Sequence, residues 1–252
     1  MMKTEHVVQT LFASIEKSVV PYPPGVEAVP EQILGTSFFP GGTGLWFGDS
    51  NVIPKMPIHG VMVLGHDFHS VDGYKWARQH VVENLNNPTW RNVRALLALA
   101  EIPLQQCFFT NVYMGLRQGE ATTGRFPGAA SPAFVQRCRD FFLMQIRLQQ
   151  PALVLALGSH VPPFLATLAP QLSSWASPGG FRQRDADRTS LQANVQFVDE
   201  CQPCVVASVL HPSLRPSNVR RRSWQGLVGN EAEVALVKEA RGIAKVSSLA
   251  KD

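Results

Sequence analysis

Four short stretches of this chain set hydrogen-bonding or titratable side chains directly after an apolar run. Gly65-His66-Asp67-Phe68-His69-Ser70 follows residues 61–64, and Asn111-Val112-Tyr113-Met114-Gly115 follows residues 107–110. Gly158-Ser159-His160-Val161-Pro162 follows residues 153–157, and His211-Pro212-Ser213-Leu214-Arg215 follows residues 205–209. A carboxylate, an amide, a hydroxyl at a helix start and an imidazole thus recur at equivalent places. A carboxylate can orient a water or face a developing cation, an imidazole can move a proton or donate a hydrogen bond, and an amide offers one donor beside one acceptor. Singly, each has an ordinary explanation, since an Asp after a strand often caps a turn and a lone His is more often structural than catalytic. Their joint arrangement is the signal.

The apolar runs are short, continuous and closed by polar or turning residues, as buried parallel strands are. Between them lie segments of helical periodicity, TWRNVRALLALAEI from Thr89 and SPAFVQRCRDFFLMQIRLQ from Ser131, where Ser131-Pro132 supplies an N-cap and a proline at the first helical position. Alternating strand and helix predicts an α/β fold: a single three-layer α/β/α domain around a central four-stranded, mostly parallel sheet. Residues 1–57, a short helix and a Pro/Gly-rich wrapping loop, belong to that domain; residues 58–245 form its body and residues 246–252 a tail. Residues 170–200 read as a polar, solvated insertion, with Arg182, Arg184 and Arg188 in reach of a ligand. In doubly wound sheets ligands bind at the carboxyl ends of the strands, so the four polar stretches should line one crevice.

Over residues 58–240 the chain resembles the uracil-DNA glycosylase superfamily. The first stretch is similar to the motif Gly-Gln-Asp-Pro-Tyr-His, the second to the strand ending in Asn, the third to the Leu-Gly-Ser turn and the fourth to the His-Pro-Ser loop. Order and spacing agree, and the helix entered at Asn87-Pro88 sits where family members have a Pro-rich helix entry. The resemblance implies a monofunctional, cofactor-free and metal-free enzyme that hydrolyses the N-glycosidic bond of a flipped pyrimidine in DNA.

That reaction builds oxocarbenium character on the sugar and negative charge on the leaving base, so it needs a carboxylate beside the sugar and a donor at the base oxygen. Asp67 and His211 fill these catalytic roles, with Asp67 ionised and orienting or deprotonating the water. Asn111 pairs with the pyrimidine edge, but an amide turned by half a revolution suits cytosine as well as uracil. The extruded base must stack on an aromatic ring. Phe68, Tyr74 and Trp76 are candidates, with Trp90 behind them. The loop after His211 carries Arg215, Arg220, Arg221 and Arg222, which with Ser159, His160 and Ser213 would hold DNA, while Leu214 or Arg215 fills the vacated space.

Two departures from the family bear on substrate. His69 replaces the motif tyrosine that crowds C5 of the base, so strict uracil specificity is not expected. The polar set His66, His69, Ser70 and Asp72 could bind a hydroxylated C5 substituent, and the superfamily includes an anti-phage glycosylase of glucosylated 5-hydroxymethylcytosine that this chain resembles. Some members hold an iron–sulfur cluster, but here only Cys138 matches a ligand position and Gly115 stands at another. Cys107 and Cys138 read as plain thiols, and Cys201 and Cys204 form an isolated CxxC.

Two readings from other classes remain. His59, His66, Asp67, His69 and Asp72 could hold zinc or manganese in a hydrolase, although Asn111 and His211 would then be idle. A modified-base binder without turnover is the other. The chain has 252 residues, 45% apolar and 17% charged, which excludes disorder and a disulfide-dependent fold. It has no apolar run of membrane-spanning length and no signal peptide, so a cytoplasmic monomer is expected. Its net charge of +4 is modest, but four of its 23 basic residues crowd within eight positions beside His211.

Overall fold

A computed structural model describes residues 7–33, 38–46, 54–80, 84–119, 122–177 and 180–249. Its centre is a five-stranded sheet. The strands flanking the expected polar stretches are β2 (Val61–Gly65), β3 (Cys107–Asn111), β5 (Leu153–Leu157) and β7 (Cys204–Val209), in the order β3-β2-β5-β7, all parallel. The fifth, β6 (Leu191–Val195), runs antiparallel along the far edge of β7. This corrects the four-stranded expectation, and it corrects the solvated-insertion reading of residues 170–200. An edge strand has one partner and one solvated side. Two of the five β6 residues, Ala193 and Asn194, are exposed, and Asn194 breaks the register at positive φ, so no apolar run marks the strand.

Successive side chains of a strand point to opposite faces, and the core divides accordingly. Met62, Leu64, Phe108, Val154 and Val206 join one buried cluster with α1 (Val7–Val19) and α4 (Pro132–Gln149). Val61, Val63, Phe109, Leu155, Ala207 and Val209 join the other with α3 (Pro88–Leu99) and α8 (Gly229–Leu249). Helices thus cover both faces of the sheet. The Ser131 cap lies where the sequence puts it, its Oγ accepting from the Phe134 N–H; Asn87 Oδ1 likewise accepts from the Thr89 N–H ahead of α3, a cap the sequence reading did not name.

The wrapping segment is anchored by β1 (Val26–Glu27), which pairs antiparallel with β4 (Leu116–Arg117). Residues 34–37 and 47–53 of that segment lie outside the described residues. The remaining elements are α2 (Val71–His80), α5 (Val161–Leu165), α6 (Phe181–Ala186), α7 (Arg215–Asn218) and the hairpin of β8 (Ser223–Trp224) and β9 (Leu227–Val228). The backbone of α8 continues to Leu249, past the expected boundary at residue 245, and residues 250–252 lie outside the described residues. No helix among the described residues is long and apolar enough to cross a membrane.

Candidate active site

The crevice forms where the sheet switches direction, since β3 lies on one side of β2 and β5 on the other. A cleft of about 1140 Å³ opens there and reaches all four strand ends: Asp67 after β2, Asn111 closing β3, His160 after β5 and His211 after β7. It is larger than the roughly 300–1,000 Å³ of clefts that hold drug-sized ligands.

Asp67 is the most heavily bonded of these groups. Its Oδ1 accepts from Arg117 Nε at 3.0 Å and from the His69 backbone N–H at 3.2 Å. Its Oδ2 accepts from Arg117 Nη2 at 2.7 Å, and His66 Nδ1 lies 2.8 Å away. Burial alone would raise this carboxyl, but hydrogen bonds and charge from His66 and Arg117 hold it well below the usual carboxylate range. The ionised form of Asp67 is therefore favoured. A carboxylate has about four lone-pair sites, however, and four donors already occupy them. These four contacts count against the expectation that Asp67 also holds the attacking water.

Arg117 is buried and uses all five guanidinium donors. Besides Asp67 it reaches the carbonyls of Thr123, Arg125 and Gly124, fastening the loop that forms one wall of the cleft. Its guanidinium also lies over the Phe126 ring. Sequence reasoning missed it. Its only mark is a lone basic residue in the otherwise apolar run after Asn111, which periodicity cannot assign to a partner 50 residues away.

His211 stands across the cleft, its Nδ1 2.8 Å from Ser213 Oγ. Burial lowers its affinity for a proton, and the charge of Asp67 opposes this incompletely, so the ring is biased toward neutrality. Ser213, expected to touch DNA, is instead engaged with the imidazole. Glycine is required beneath it: Gly158 has φ +84°, and a Cβ there would lie 3.1 Å from that of His211. The loop is tied at both ends by the fully buried Glu233 of α8. Its Oε1 accepts from the Leu210 N–H at 2.7 Å, and its Oε2 from Arg215 Nε at 2.6 Å. Asn92 of α3 adds a bond to the Pro212 carbonyl at 2.7 Å.

Asn111 is 2% exposed and donates through Nδ2 to the Phe39 carbonyl at 3.2 Å. Turning the amide over would set oxygen against oxygen, so Phe39 fixes which end is which. Its Oδ1 lies over Gly65, where a Cβ would come within 2.3 Å. Among the aromatic candidates, Phe68 and Trp76 line the cleft. Trp76 is 43% exposed and stacks on His80. Tyr74 does not line it: it is buried against Phe68, and its hydroxyl donates to the Glu31 carbonyl, which corrects that expectation. Phe38 was missed; it lines the cleft and packs on Trp90, but comes from a segment without periodicity.

His69 is exposed at the cleft, with burial of part of its ring lowering its proton affinity. Ser159, His160 and Leu214 are exposed along the cleft. Of the four clustered arginines, Arg220 and Arg221 are exposed, and Arg221 reaches the cleft. Arg222 is 1% exposed and paired with buried Asp185 at 3.1 Å, so it cannot face a phosphate. Arg215 is committed to Glu233. Sequence spacing sees a run of four cations, whereas the short helical turns after His211 send two of them inward. In their place Arg182, exposed beside Phe181 on α6, lines the cleft.

The five residues of the metal reading are not brought together: among the described residues no three His, Cys, Asp or Glu side chains converge as metal ligands, and the His59 ring bonds the Gln150 carbonyl behind α4. Cys107, Cys138 and Cys204 are buried free thiols, each pushed up to about 12 by burial, and Cys201 is half-buried. Compared with known proteins, the chain matches no family model and no curated sequence.

Proposed function

We propose that this protein is a monofunctional DNA glycosylase that removes a flipped pyrimidine and leaves an abasic site. The observation that carries the reading is an ionised carboxylate, Asp67, placed in one cleft with a predominantly neutral imidazole, His211, and an orientation-locked amide, Asn111. A glycosidic bond breaking between them would have its developing cation beside Asp67 and its departing anion beside His211. Each such contact strengthens as the bond lengthens, so it lowers the barrier instead of merely tightening binding. In the tautomer in which His211 Nδ1 accepts from the Ser213 hydroxyl, Nε2 carries the proton and would donate to the base oxygen.

DNA is the partner this reading requires. Arg182, Arg220 and Arg221 would hold phosphates around the cleft mouth, Leu214 would occupy the gap left by the flipped nucleotide, and Phe38, Phe68 or Trp76 would stack on the base. The resemblance of residues 58–240 to the uracil-DNA glycosylase superfamily supports the same assignment. The chemistry needs no metal or cofactor, and the described residues that line the cleft include no lysine for a lyase step. A cytoplasmic monomer suffices for it.

The size of the cleft favours a second reading within this class, a base with a bulky hydroxylated C5 substituent such as glucosylated 5-hydroxymethylcytosine. Asn84, Asn87, Thr122 and Thr123 give its wall amides and hydroxyls suited to sugar hydroxyls, and His69 stands where a tyrosine would exclude such a group. The test is incubation with oligonucleotides and phage DNAs carrying uracil, mismatched thymine, hydroxymethylcytosine or its glucosides, scored for alkali-labile sites. Breaks at one of these bases support the proposal, and intact strands across the whole panel refute it.

A further inference from the structure

The full carboxylate of Asp67 leaves the attacking water without a base. The neighbouring residue supplies one. His66 turns Nδ1 to Asp67 Oδ2 at 2.8 Å, and its side chain is 11% exposed along the cleft. Among the described residues Nε2 has no protein partner. The ring is fixed in plane by His160, stacked at 4.6 Å with 25° between planes, and by Tyr113 and Phe126 at its edges. A cleft-lining ring held through Nδ1–H by a carboxylate, with Nε2 unpartnered among the described residues, is the arrangement of a general base whose tautomer is set by its partner.

We propose that His66, and not Asp67, receives the proton of the attacking water, with Asp67 as the positioning residue that sets its tautomer and Arg117 as the clamp that holds Asp67. The inference rests on the glycosylase reading. In the step, the water oxygen bonds to C1′ of the sugar as the C1′–N bond breaks. The bonding pair leaves with the base, whose charge His211 meets, and the water proton passes to His66 Nε2. The imidazolium so formed sits against the ionised Asp67, and returning its proton to solvent or to the released base completes the cycle. The groups facing His66 are Asp67, with Arg117 behind it, His160 on its face, Tyr113 and Phe126 at its edges and His211 across the cleft.

Two measurements test this. The first is the long-range proton–nitrogen spectrum of histidine-labelled protein, with the His66 signals assigned by their loss in His66→Gln. It should show the Nδ1–H tautomer at about pH 8, and an Nε2–H or doubly protonated ring there overturns the proposal. The second is single-turnover base release. His66→Ala and His66→Gln should lose about 10²–10⁴-fold while binding uncleavable DNA within about threefold of wild type, and free imidazole should restore His66→Ala at least about tenfold. Unchanged release, or a loss that imidazole does not repair, overturns it. If wild type releases no base from any DNA, the glycosylase reading fails by itself, and the spectrum still decides whether the His66–Asp67 pair exists.

Discussion

Arg117 grips Asp67 with two parallel bonds, Nε to Oδ1 at 3.0 Å and Nη2 to Oδ2 at 2.7 Å, with the two side chains only 4% and 8% exposed. Such a two-pronged pair matches the flat guanidinium to the carboxylate, and lysine cannot reproduce it. It keeps a buried negative charge at the cleft, where the proposed sugar cation would form.

Removing one partner of a buried pair leaves the other charge uncompensated. Arg117→Ala should therefore cost about 3–5 kcal/mol of stability, measured by urea unfolding, with Arg117→Lys intermediate. The carboxyl of Asp67 should then move upward, because the opposing cation is gone. A variant as stable as wild type would show that the pair is dispensable.

Burial and exposure divide the arginines after His211 into two jobs. Arg222→Ala should destabilise the fold by about 3–5 kcal/mol by orphaning Asp185. Arg221→Ala and Arg182→Ala should leave the melting temperature almost unchanged but weaken DNA binding, each reducing the slope of log affinity against log salt by about 1. Equal salt slopes in wild type and the Arg182/Arg221 double variant would remove these residues from the DNA interface.

Acid should weaken the fold in two stages. His69, His160 and His211 all have proton affinities lowered first of all by burial. The unfolded chain therefore takes up protons near the ordinary imidazole value of about 6.5 that the folded chain refuses, and stability falls as pH drops below it. Asp67 is likewise depressed, so its contribution is present above the ordinary value of about 4 and is lost only in stronger acid. Urea midpoints across pH should show both declines, with Asp67→Asn flattening the second. A fold that gains stability between about pH 7 and pH 5 contradicts the assignment.

Ser213 bonds the His211 ring, and Glu233 ties the loop on either side of it through Leu210 and Arg215. Ser213→Ala should lower base release while leaving DNA affinity unchanged, since it frees the imidazole tautomer without touching phosphate. Glu233→Ala should cost about 3–5 kcal/mol by orphaning Arg215 and the Leu210 N–H. If Ser213→Ala weakens DNA binding and spares turnover, the hydroxyl belongs to the interface instead.

The four parallel strands, the two long helices with the Ser131 cap, and the gathering of Asp67, Asn111, Ser159 and His211 at one cleft were legible in the sequence. Each rests on a local signal: an apolar run, a helical period, or a polar residue directly after a strand. What was not legible depends on contacts between distant segments. The partnership of Arg117 with Asp67 spans 50 residues, and that of Leu210 with Glu233 spans 23. The edge strand β6 has no apolar period because two of its five residues face solvent. Arg222 is chemically identical to Arg221, and only the turn geometry after α7 sends one to Asp185 and the other to the cleft.

The central claim is that the charge of Asp67 drives the loss of a pyrimidine from DNA. The most direct measurement is mass-spectrometric detection of free base and of the intact abasic strand in single-turnover reactions of wild type and Asp67→Ala. Wild type should release one pyrimidine from a DNA of the panel, and Asp67→Ala should bind the same DNA but release base at least about 10²-fold more slowly. Equal release by the two proteins, or release by neither from any DNA, would contradict the account.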